Sequence, residues 1–349
     1  MKAFMKGLAV ALVAFALAPA AARAWDRDRA RPFATLPAGA SGPEGIEVDA
    51  SGRVYVGTSG FTATGFAPPP GQIFVYDDRG RLLRQLAVAG SSANLLGLRL
   101  HPTSGALLVV DFGAGQVLAV DPETGSSTPF LTLPPPAGRP HPELGVGLND
   151  VTFDGARNVY VSDSFQGVVW RTGPQGGVAT VWVDSPLLRT SGVPPFGANG
   201  LRFDQGETAM FVANTGDDRV IRIPVTASAA GPVAGTPSVF ANSVNGADGL
   251  LVDADDNVWV AANQADEIVV LDRTGKAIAK LGDFGGAIVD GAPEGLLFPA
   301  SSRFLGKDLL VTNLALDLRL FDPSFTSPDS AWCAQVTRYT VSRIPARIR

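Results

Sequence analysis

The chain repeats one pattern of apolar and polar positions at intervals of 46 to 53 residues. Each copy opens on one fixed position, which is usually polar, and continues into apolar runs separated by turns rich in Gly, Asn and Asp. The fifth copy shows the pattern most clearly, with predicted strands at 249–253, 258–261, 267–271 and 276–281. Short runs of β-branched and aromatic residues bounded by turn residues predict strands, and four strands in one repeat are typical of a propeller blade.

Six copies of the repeat predict an all-β fold, a six-bladed β-propeller. A closed ring must protect the sheet edges of its first and last blades. Residues 32–37 resemble residues 129–134, the predicted outer strand of the second copy. We therefore expect the N-terminal strand to close the last blade as its outer strand, with residues 336–344 supplying the strand beside it.

The opening position of the repeat carries a side-chain oxygen in five of the six copies. From the first copy to the last, it is occupied by Glu44, Leu96, Asn149, Asn199, Asp248 and Glu294. In a ring these residues meet at the axis, where buried carboxylates repel one another unless a cation neutralises them. The pattern predicts a metal site with Glu44, Asn199, Asp248 and Asn149 as ligands. The alternative is that these residues only form turns before the strands.

The expected metal is Ca²⁺, which prefers about six to eight oxygen ligands. Another divalent cation, such as Mg²⁺, Mn²⁺ or Zn²⁺, is the alternative. The sequence contains two histidines and one cysteine, which disfavours a zinc site of the thiolate and imidazole type. Oxygen donors are therefore the ligands that this chain offers.

A second polar position follows the second strand of most copies. Its residues are Thr58, Asp111, Asp163, Asn214, Ala262 and Asn313. In a four-stranded meander this position lies at the same mouth of the ring as the opening position. Short polar side chains at strand ends usually accept hydrogen bonds from loop backbone, so we expect these residues to shape the loops.

Residues 1–24 are predicted to be a secretory signal peptide. Lys2 and Lys6 precede an apolar run, and small residues surround Arg23 before the predicted cleavage site. Residues 25–349 are expected to form a single domain with no membrane span, because the apolar runs are too short to cross a bilayer. The predicted location is secreted or periplasmic.

Composition excludes some partners. The net charge is −5, and no block of Lys and Arg is present, so nucleic acid is not an expected partner. Cys333 is the only cysteine and cannot form a disulfide within the chain. The expected partner is a small-molecule substrate, and the expected state is a monomer.

The motifs Pro43-Glu44-Gly45, Leu148-Asn149-Asp150, Ala198-Asn199-Gly200 and Ala247-Asp248-Gly249, in this order and spacing, resemble those of the senescence marker protein/gluconolactonase/luciferin-regenerating-like family. The resemblance extends over residues 32–345 and implies a six-bladed propeller. It also implies that Glu44, Asn199 and Asp248 hold a divalent cation, usually calcium, with Asn149 near metal water or substrate. The implied activity is hydrolysis of a lactone or ester, with Asp248 as general base.

The chain departs from the family pattern near the substrate. Gly145-Val146-Gly147 stands where sugar-lactone hydrolases often have an arginine, and the mouth loops are rich in phenylalanine and proline. We assign Asn149, Glu294 and His141 as candidate substrate-binding residues. A non-catalytic propeller that binds a small molecule or a protein is the main alternative. A lyase of the streptogramin-inactivating kind is the weakest, because His101 and His141 are expected on opposite faces.

Overall fold

The computed structural model describes residues 27–228, 231–325, 327 and 329–348, and the regular secondary structure there is almost entirely β-strand. The predicted signal peptide lies outside the described residues. The strands are β1 (Arg31–Thr35), β2 (Pro43–Val48), β3 (Val54–Thr58), β4 (Phe61–Thr62), β5 (Gly65–Phe66), β6 (Gln72–Tyr76), β7 (Leu82–Ala87), β8 (Leu95–Leu100), β9 (Leu107–Asp111), β10 (Gln116–Val120), β11 (Ser127–Thr132), β12 (Leu148–Phe153), β13 (Val159–Asp163), β14 (Val168–Gly173), β15 (Gly176–Asp184), β16 (Ala198–Phe203), β17 (Ala209–Asn214), β18 (Arg219–Thr226), β19 (Val233–Ala234), β20 (Ser238–Asn242), β21 (Ala247–Val252), β22 (Val258–Ala262), β23 (Glu267–Leu271), β24 (Ala277–Leu281), β25 (Phe284–Val289), β26 (Ala292–Gly295), β27 (Pro299–Leu305), β28 (Asp308–Asn313) and β29 (Thr340–Pro345). One short helix, α1 (Ser330–Cys333), precedes β29. Within the described residues, no helix is long and apolar enough to cross a membrane.

Most strands belong to antiparallel meanders of four. The first contains β2, β3, β6 and β7, and the later ones begin at β8, β12, β16 and β21. The meanders that begin at β8 and β12 join into one eight-stranded sheet, because their outer strands β11 and β15 pair in parallel. The first strands of the meanders, together with β27, contact one another in a circle: β2, β8, β12, β16, β21, β27 and β2 again. The fold is therefore all-β and of the propeller type.

The two ends of the chain complete one sheet. Strand β1 pairs with β29, β29 with β28, and β28 with β27. Phe33 and Leu36 are buried there, and the Leu36 N–H donates to the carbonyl of Tyr339 at 2.9 Å. This is the pairing predicted from the similarity of residues 32–37 to an outer strand.

The predicted register of the last repeat was wrong. Residues 294–298 do not form an inner strand, because Glu294 lies on β26, in a hairpin with β25. The inner strand is β27, which pairs with β28 as β2 pairs with β3. Ala300, rather than Glu294, therefore stands at the opening position of the sixth copy. The apolar run 296–298 has the composition of a strand, but it lies in the connection between β26 and β27.

A buried pair of aspartates connects the turn after β22 with the start of α1. Asp266, in the turn after β22, accepts a hydrogen bond from the Phe298 N–H at 2.7 Å. Burial raises the pKa of Asp266 to about 8, and the adjacent carboxyl of Asp329, which directly precedes α1, raises it as well. Asp283 adds a smaller repulsion. A carboxyl that stays protonated near neutral pH therefore contacts both the residue before β27 and the start of α1.

Removal of residues 25–37 is expected to lower the melting temperature by roughly 10 °C, because it exposes β29 and the apolar surface around Phe33 and Leu36. Differential scanning calorimetry of the truncated protein measures this shift. Removal of residues 348–349 is the control and should change it little. Equal melting temperatures for the two truncated proteins would show that β1 does not stabilise the ring.

Asp266→Asn is expected to flatten the pH dependence of stability. An unfolded Asp ionises near pH 3.8, whereas Asp266 keeps its proton to about pH 8 in the folded protein. The unfolded chain therefore loses that proton first, and the free energy of unfolding falls as the pH rises from 4 to 8. At pH 8 the variant should melt roughly 2 to 4 °C above the wild type, and at pH 4 the two should coincide. The exposed Asp255→Asn is the control.

Candidate functional site

A β-bulge near the start of each inner strand sets the geometry of the axis. In β2 the pairing with β3 shifts between Pro43 and Ile46, and in β21 the pairing with β22 shifts between Ala247 and Leu250. The same shift occurs in β8, β12, β16 and β27. A bulge re-aims a side chain that regular pleating would turn elsewhere. The bulged residue is the opening position of the repeat.

Five of the six bulged residues line one cavity. Glu44, Asn149, Asn199 and Asp248 are buried, and they border an empty space of about 460 Å³ that is partly open to solvent. Leu96 holds the same position in β8 and also lines the cavity. Glu294 is exposed and borders a different depression near the N-terminal segment. The structure therefore brings together the predicted metal ligands and leaves Glu294 apart.

The residue after the opening position lets the inner strands approach closely. A Cβ atom added to Gly45 would lie 2.2 Å from the carbonyl oxygen of Leu96, and one added to Gly249 would lie 2.6 Å from that of Ala300. Glycine is required there because a side chain would push neighbouring strands apart. The short distance between inner strands brings their opening residues to one small cavity.

Two hydroxyls fix the orientation of the asparagine amides. The NH₂ group of Asn199 donates to Thr215 Oγ1 at 2.9 Å, and that of Asn149 donates to Ser164 Oγ at 3.4 Å. Each hydroxyl in turn donates to a backbone carbonyl of the next inner strand at 2.7 Å. Because the amide nitrogens are used in this way, the amide oxygens remain for the cavity.

Several buried oxygens at the cavity have no hydrogen-bond partner among the described residues. They are Glu44 Oε2, Asn149 Oδ1, Asp248 Oδ1 and Asn263 Oδ1. All four residues line the same cavity, and amide and ionised carboxylate oxygens are acceptors only. Buried acceptors without donors are costly, and a hard cation satisfies several at once. The donor set therefore fits a divalent cation that prefers oxygen.

The electrostatics of the two carboxyls agree with this. Burial raises the pKa of Glu44 well above its usual value, and Asp248 raises it further. Burial likewise raises the pKa of Asp248 to about 7, although hydrogen bonds from Asn263 and Asn199 oppose the rise. Nearby positive charge favours ionised carboxylates, so cation binding would reverse both shifts.

Asn263 is a polar residue of the cavity that the repeat pattern did not predict. Its amide donates to Asp248 Oδ2 at 3.0 Å and holds that carboxyl from one side. Asn263 directly follows the end of a second strand, as Ser59 and Thr215 do, and all three line the cavity. This position comes one residue after the second polar position of the repeat. The recurrence of polar residues at that neighbouring position is the signal in the sequence that indicates Asn263.

The second polar position serves the loops, as predicted. Asp163 Oδ1 accepts hydrogen bonds from the backbone of Gly147 at 2.9 Å and Gln166 at 3.1 Å. Asn214 donates to two loop carbonyls, at Leu187 and Arg189, both at 2.9 Å. Neither side chain lines the cavity. These residues shape the mouth.

His141 lies in a mouth loop but does not line the cavity. Its ring contacts Arg189 Nη1 at 2.6 Å and Asp184 Oδ1 at 3.3 Å. Cys333 is fully buried, and burial raises the pKa of its thiol. Neither residue is placed to act on a molecule at the cavity floor.

Phenylalanines form a continuous wall above the floor. Phe61, Phe112 and Phe196 line the cavity. Phe321 joins two of them, with ring centroids 5.2 Å from Phe61 and 5.7 Å from Phe196. Phe165 lies 5.7 Å from Phe112. We call these five residues the aromatic wall.

A buried layer of charges accompanies the candidate metal ligands on the inner strands. Glu47 Oε2 lies 3.2 Å from Arg99 Nε and 3.5 Å from Arg303 Nε. Arg202 Nη1 donates to Asp150 Oδ2 at 2.6 Å. This layer interacts with the site above, because Arg303 lowers the pKa of Glu44 whereas Asp150 raises it. We call these five residues the charged layer.

The fold and the cavity together define a propeller-type protein with an oxygen-lined axial site. Residues 99–282 match the SMP-30/Gluconolactonase/LRE-like region, and residues 32–60 match the N-terminal part of strictosidine synthase-like proteins. The first match covers more than half of the chain, so the protein belongs to the SMP-30/gluconolactonase/LRE-like family.

Curated relatives include the lactonase drp35 of Staphylococcus aureus strain MW2, which is 27% identical over 154 residues, or 42% of this chain and 44% of that protein. The match therefore spans less than half the length of the relative. Regucalcin from Agrobacterium tumefaciens, described as a calcium-binding protein, superposes with a TM-score of 0.59 at 17% identity, covering 91% of this chain and 97% of that chain. A gluconolactonase from Xanthomonas campestris superposes with a TM-score of 0.58 at 15% identity, covering 91% and 90%. These two likenesses show the common fold.

Glu47→Gln is expected to destabilise the protein by about 3 to 5 kcal/mol, because it leaves two arginines of the charged layer without their carboxylate. Urea unfolding measures the change. Glu123→Gln is the matched control, since Glu123 is half exposed and pairs with Arg53 and Arg84 at the surface. Its expected effect is below about 1 kcal/mol. A similar decrease in the free energy of unfolding for both variants would show that the charged layer stabilises the protein no more than a surface ion pair does.

Proposed function

We propose that this protein is an exported, Ca²⁺-dependent hydrolase of a lactone or ester, and that its meanders form a six-bladed propeller. The observation that carries the proposal is the convergence of unpartnered acceptor oxygens from Glu44, Asn149 and Asp248 on one cavity. Family membership supports it, as does similarity to a lactonase, a gluconolactonase and a calcium-binding protein. The predicted signal peptide supports export.

Glu44, Asn199, Asp248 and Asn149 would hold the cation. A bound divalent cation supplies Lewis acidity for the addition of water to a carbonyl. Asp248 is suited to take the proton from the attacking water, because Asn263 fixes one of its oxygens and the other faces the cavity. A general base must lie within hydrogen-bond reach of the proton that it removes. Asn149 Oδ1, held by the contact of its amide with Ser164, would help to orient the reacting groups.

A non-catalytic propeller that binds a small molecule is the second candidate. The observation that favours it is that eight of the fifteen lining residues are apolar, with neither Lys nor Arg among the described residues that line the cavity. Sugar acids and phosphates are poor ligands for such a wall. Binding without turnover would distinguish this candidate from a hydrolase.

Calcium is expected to raise the melting temperature of the mature protein by about 5 °C relative to the protein in EGTA, when free Ca²⁺ is near 100 times its dissociation constant. Asp248→Asn removes a charged ligand and should abolish the rise. Asp255→Asn, an exposed change of the same chemistry, should keep it. A rise that persists in Asp248→Asn would place the calcium elsewhere.

Hydrolysis itself is tested on a panel of lactones and esters by continuous pH-stat titration. The hydrolase proposal expects multiple turnovers that EGTA removes and Ca²⁺ restores, with a loss of at least about 100-fold in kcat for Asp248→Asn. A calcium-dependent rise in melting temperature without turnover on any compound would instead support the non-catalytic propeller.

A further inference from the structure

We infer that the site takes a lactone or ester carrying an aryl or alkyl substituent, rather than a polyhydroxylated sugar lactone. This inference rests on the proposed function, because it assumes that the reacting carbonyl lies at the metal ligands. It concerns a separate part of the cavity, namely the aromatic wall.

With the exception of Leu96, which holds an opening position, the polar and apolar side chains of the cavity come from different positions of the repeat. The polar lining residues are Glu44, Ser59, Asn149, Asn199, Thr215, Asp248 and Asn263, and the apolar ones are Phe61, Leu96, Phe112, Pro194, Phe196, Phe298, Leu314 and Leu316. Four of the polar residues come from the opening position of the inner strands, and the other three directly follow second strands. A carbonyl held among them would direct its substituent towards the apolar residues.

The aromatic wall is continuous and is built from separate mouth segments. Phe61 belongs to β4, whereas Phe112 follows β9, Phe165 follows β13 and Phe196 precedes β16. The ring centroids of Phe112 and Phe196 are 6.0 Å apart, and those of Phe165 and Phe196 are 5.8 Å apart with nearly parallel planes. Most of the other contacts are edge-to-face, an arrangement that aromatic rings prefer. Apolar ligand surface would therefore be covered by rings from several loops at once.

The polar groups of the cavity leave few hydrogen-bond donors for a sugar lactone, and the proposed cation would occupy most of the unpartnered acceptor oxygens. Ser59 Oγ donates to the carbonyl of Gly42 at 2.9 Å, and Thr215 Oγ1 donates to that of Ala247 at 2.7 Å. The amides of Asn149 and Asn199 donate to hydroxyls, and that of Asn263 donates to Asp248. Hydroxyls placed against the aromatic wall would lose their hydrogen bonds to water without replacement, which opposes binding.

The wall also lies against the segment Gly145–Gly147, where an arginine is missing. Gly147 stands near the mouth, and a Cβ atom added there would lie 2.8 Å from the ring of Phe165. A long basic side chain is thus incompatible with the position of that ring. At this point the chain offers a ligand aromatic packing in place of a basic side chain.

The test compares three lactones with calcium present: dihydrocoumarin, which carries a fused aryl ring, unsubstituted δ-valerolactone, and glucono-1,5-lactone. We expect kcat/KM to be about 100-fold higher for dihydrocoumarin than for gluconolactone, with δ-valerolactone between them. Phe196→Ala should lower kcat/KM for dihydrocoumarin about 10- to 100-fold and for δ-valerolactone far less. Phe130→Ala, on the outer strand β11, is the matched control and should leave kcat/KM unchanged for both of these lactones.

A binding measurement separates this inference from the hydrolase proposal. Calorimetry with the lactam of dihydrocoumarin and with gluconolactam reports affinity without requiring turnover. Preferential binding of the aryl lactam, weakened in Phe196→Ala or in the second wall variant Phe112→Ala, supports the aryl or alkyl site even when no lactone is hydrolysed. Equal binding of the two lactams, or equal hydrolysis of gluconolactone and dihydrocoumarin, overturns it.

Discussion

The close approach of the inner strands at the axis is the constraint on which the rest of this structure depends. Each inner strand carries a bulge that turns its opening residue inward, and glycine at positions such as 45 and 249 allows the next strand to come near. The same approach removes two carboxyls and two amide oxygens from water. Burial at this cost is consistent with a site made to hold a cation, because a divalent ion reverses the penalty.

Around that axis, the polar residues fall into three groups with different roles. The opening residues supply oxygens, while Ser164 and Thr215 orient the amides and tie neighbouring inner strands together. The charged layer adds arginines whose field reaches Glu44. The candidate metal ligands are thus held by hydrogen bonds and charges from neighbouring residues, most of which, Thr215 excepted, do not line the cavity.

The mouth is less constrained than the axis, and there this chain departs from sugar-lactone hydrolases. Its loops bring phenylalanines from five segments into contact, and Phe165 occupies space that a side chain at Gly147 would need. Loops on a rigid propeller can change in this way without disturbing the inner strands, because they contribute little to the ring. In this proposal the axial residues determine the chemistry, and the loops of the mouth determine which substrate is bound.

The sequence by itself determined the repeated meander, the closing strand at residues 32–37 and the oxygens of Glu44, Asn149, Asn199 and Asp248, because alternation, turn residues and regular spacing are local signals. Tertiary structure alone decided the last inner strand, where the apolar run 296–298 imitated a strand and Ala300 took the place assigned to Glu294. It also decided that Asn263 holds Asp248 and that Phe321 joins the wall. Phe321 lies outside the repeat, so no repeated pattern records its contact, whereas Asn263 lies 15 residues from Asp248 in the same copy and only the folded meander shows that the two side chains meet.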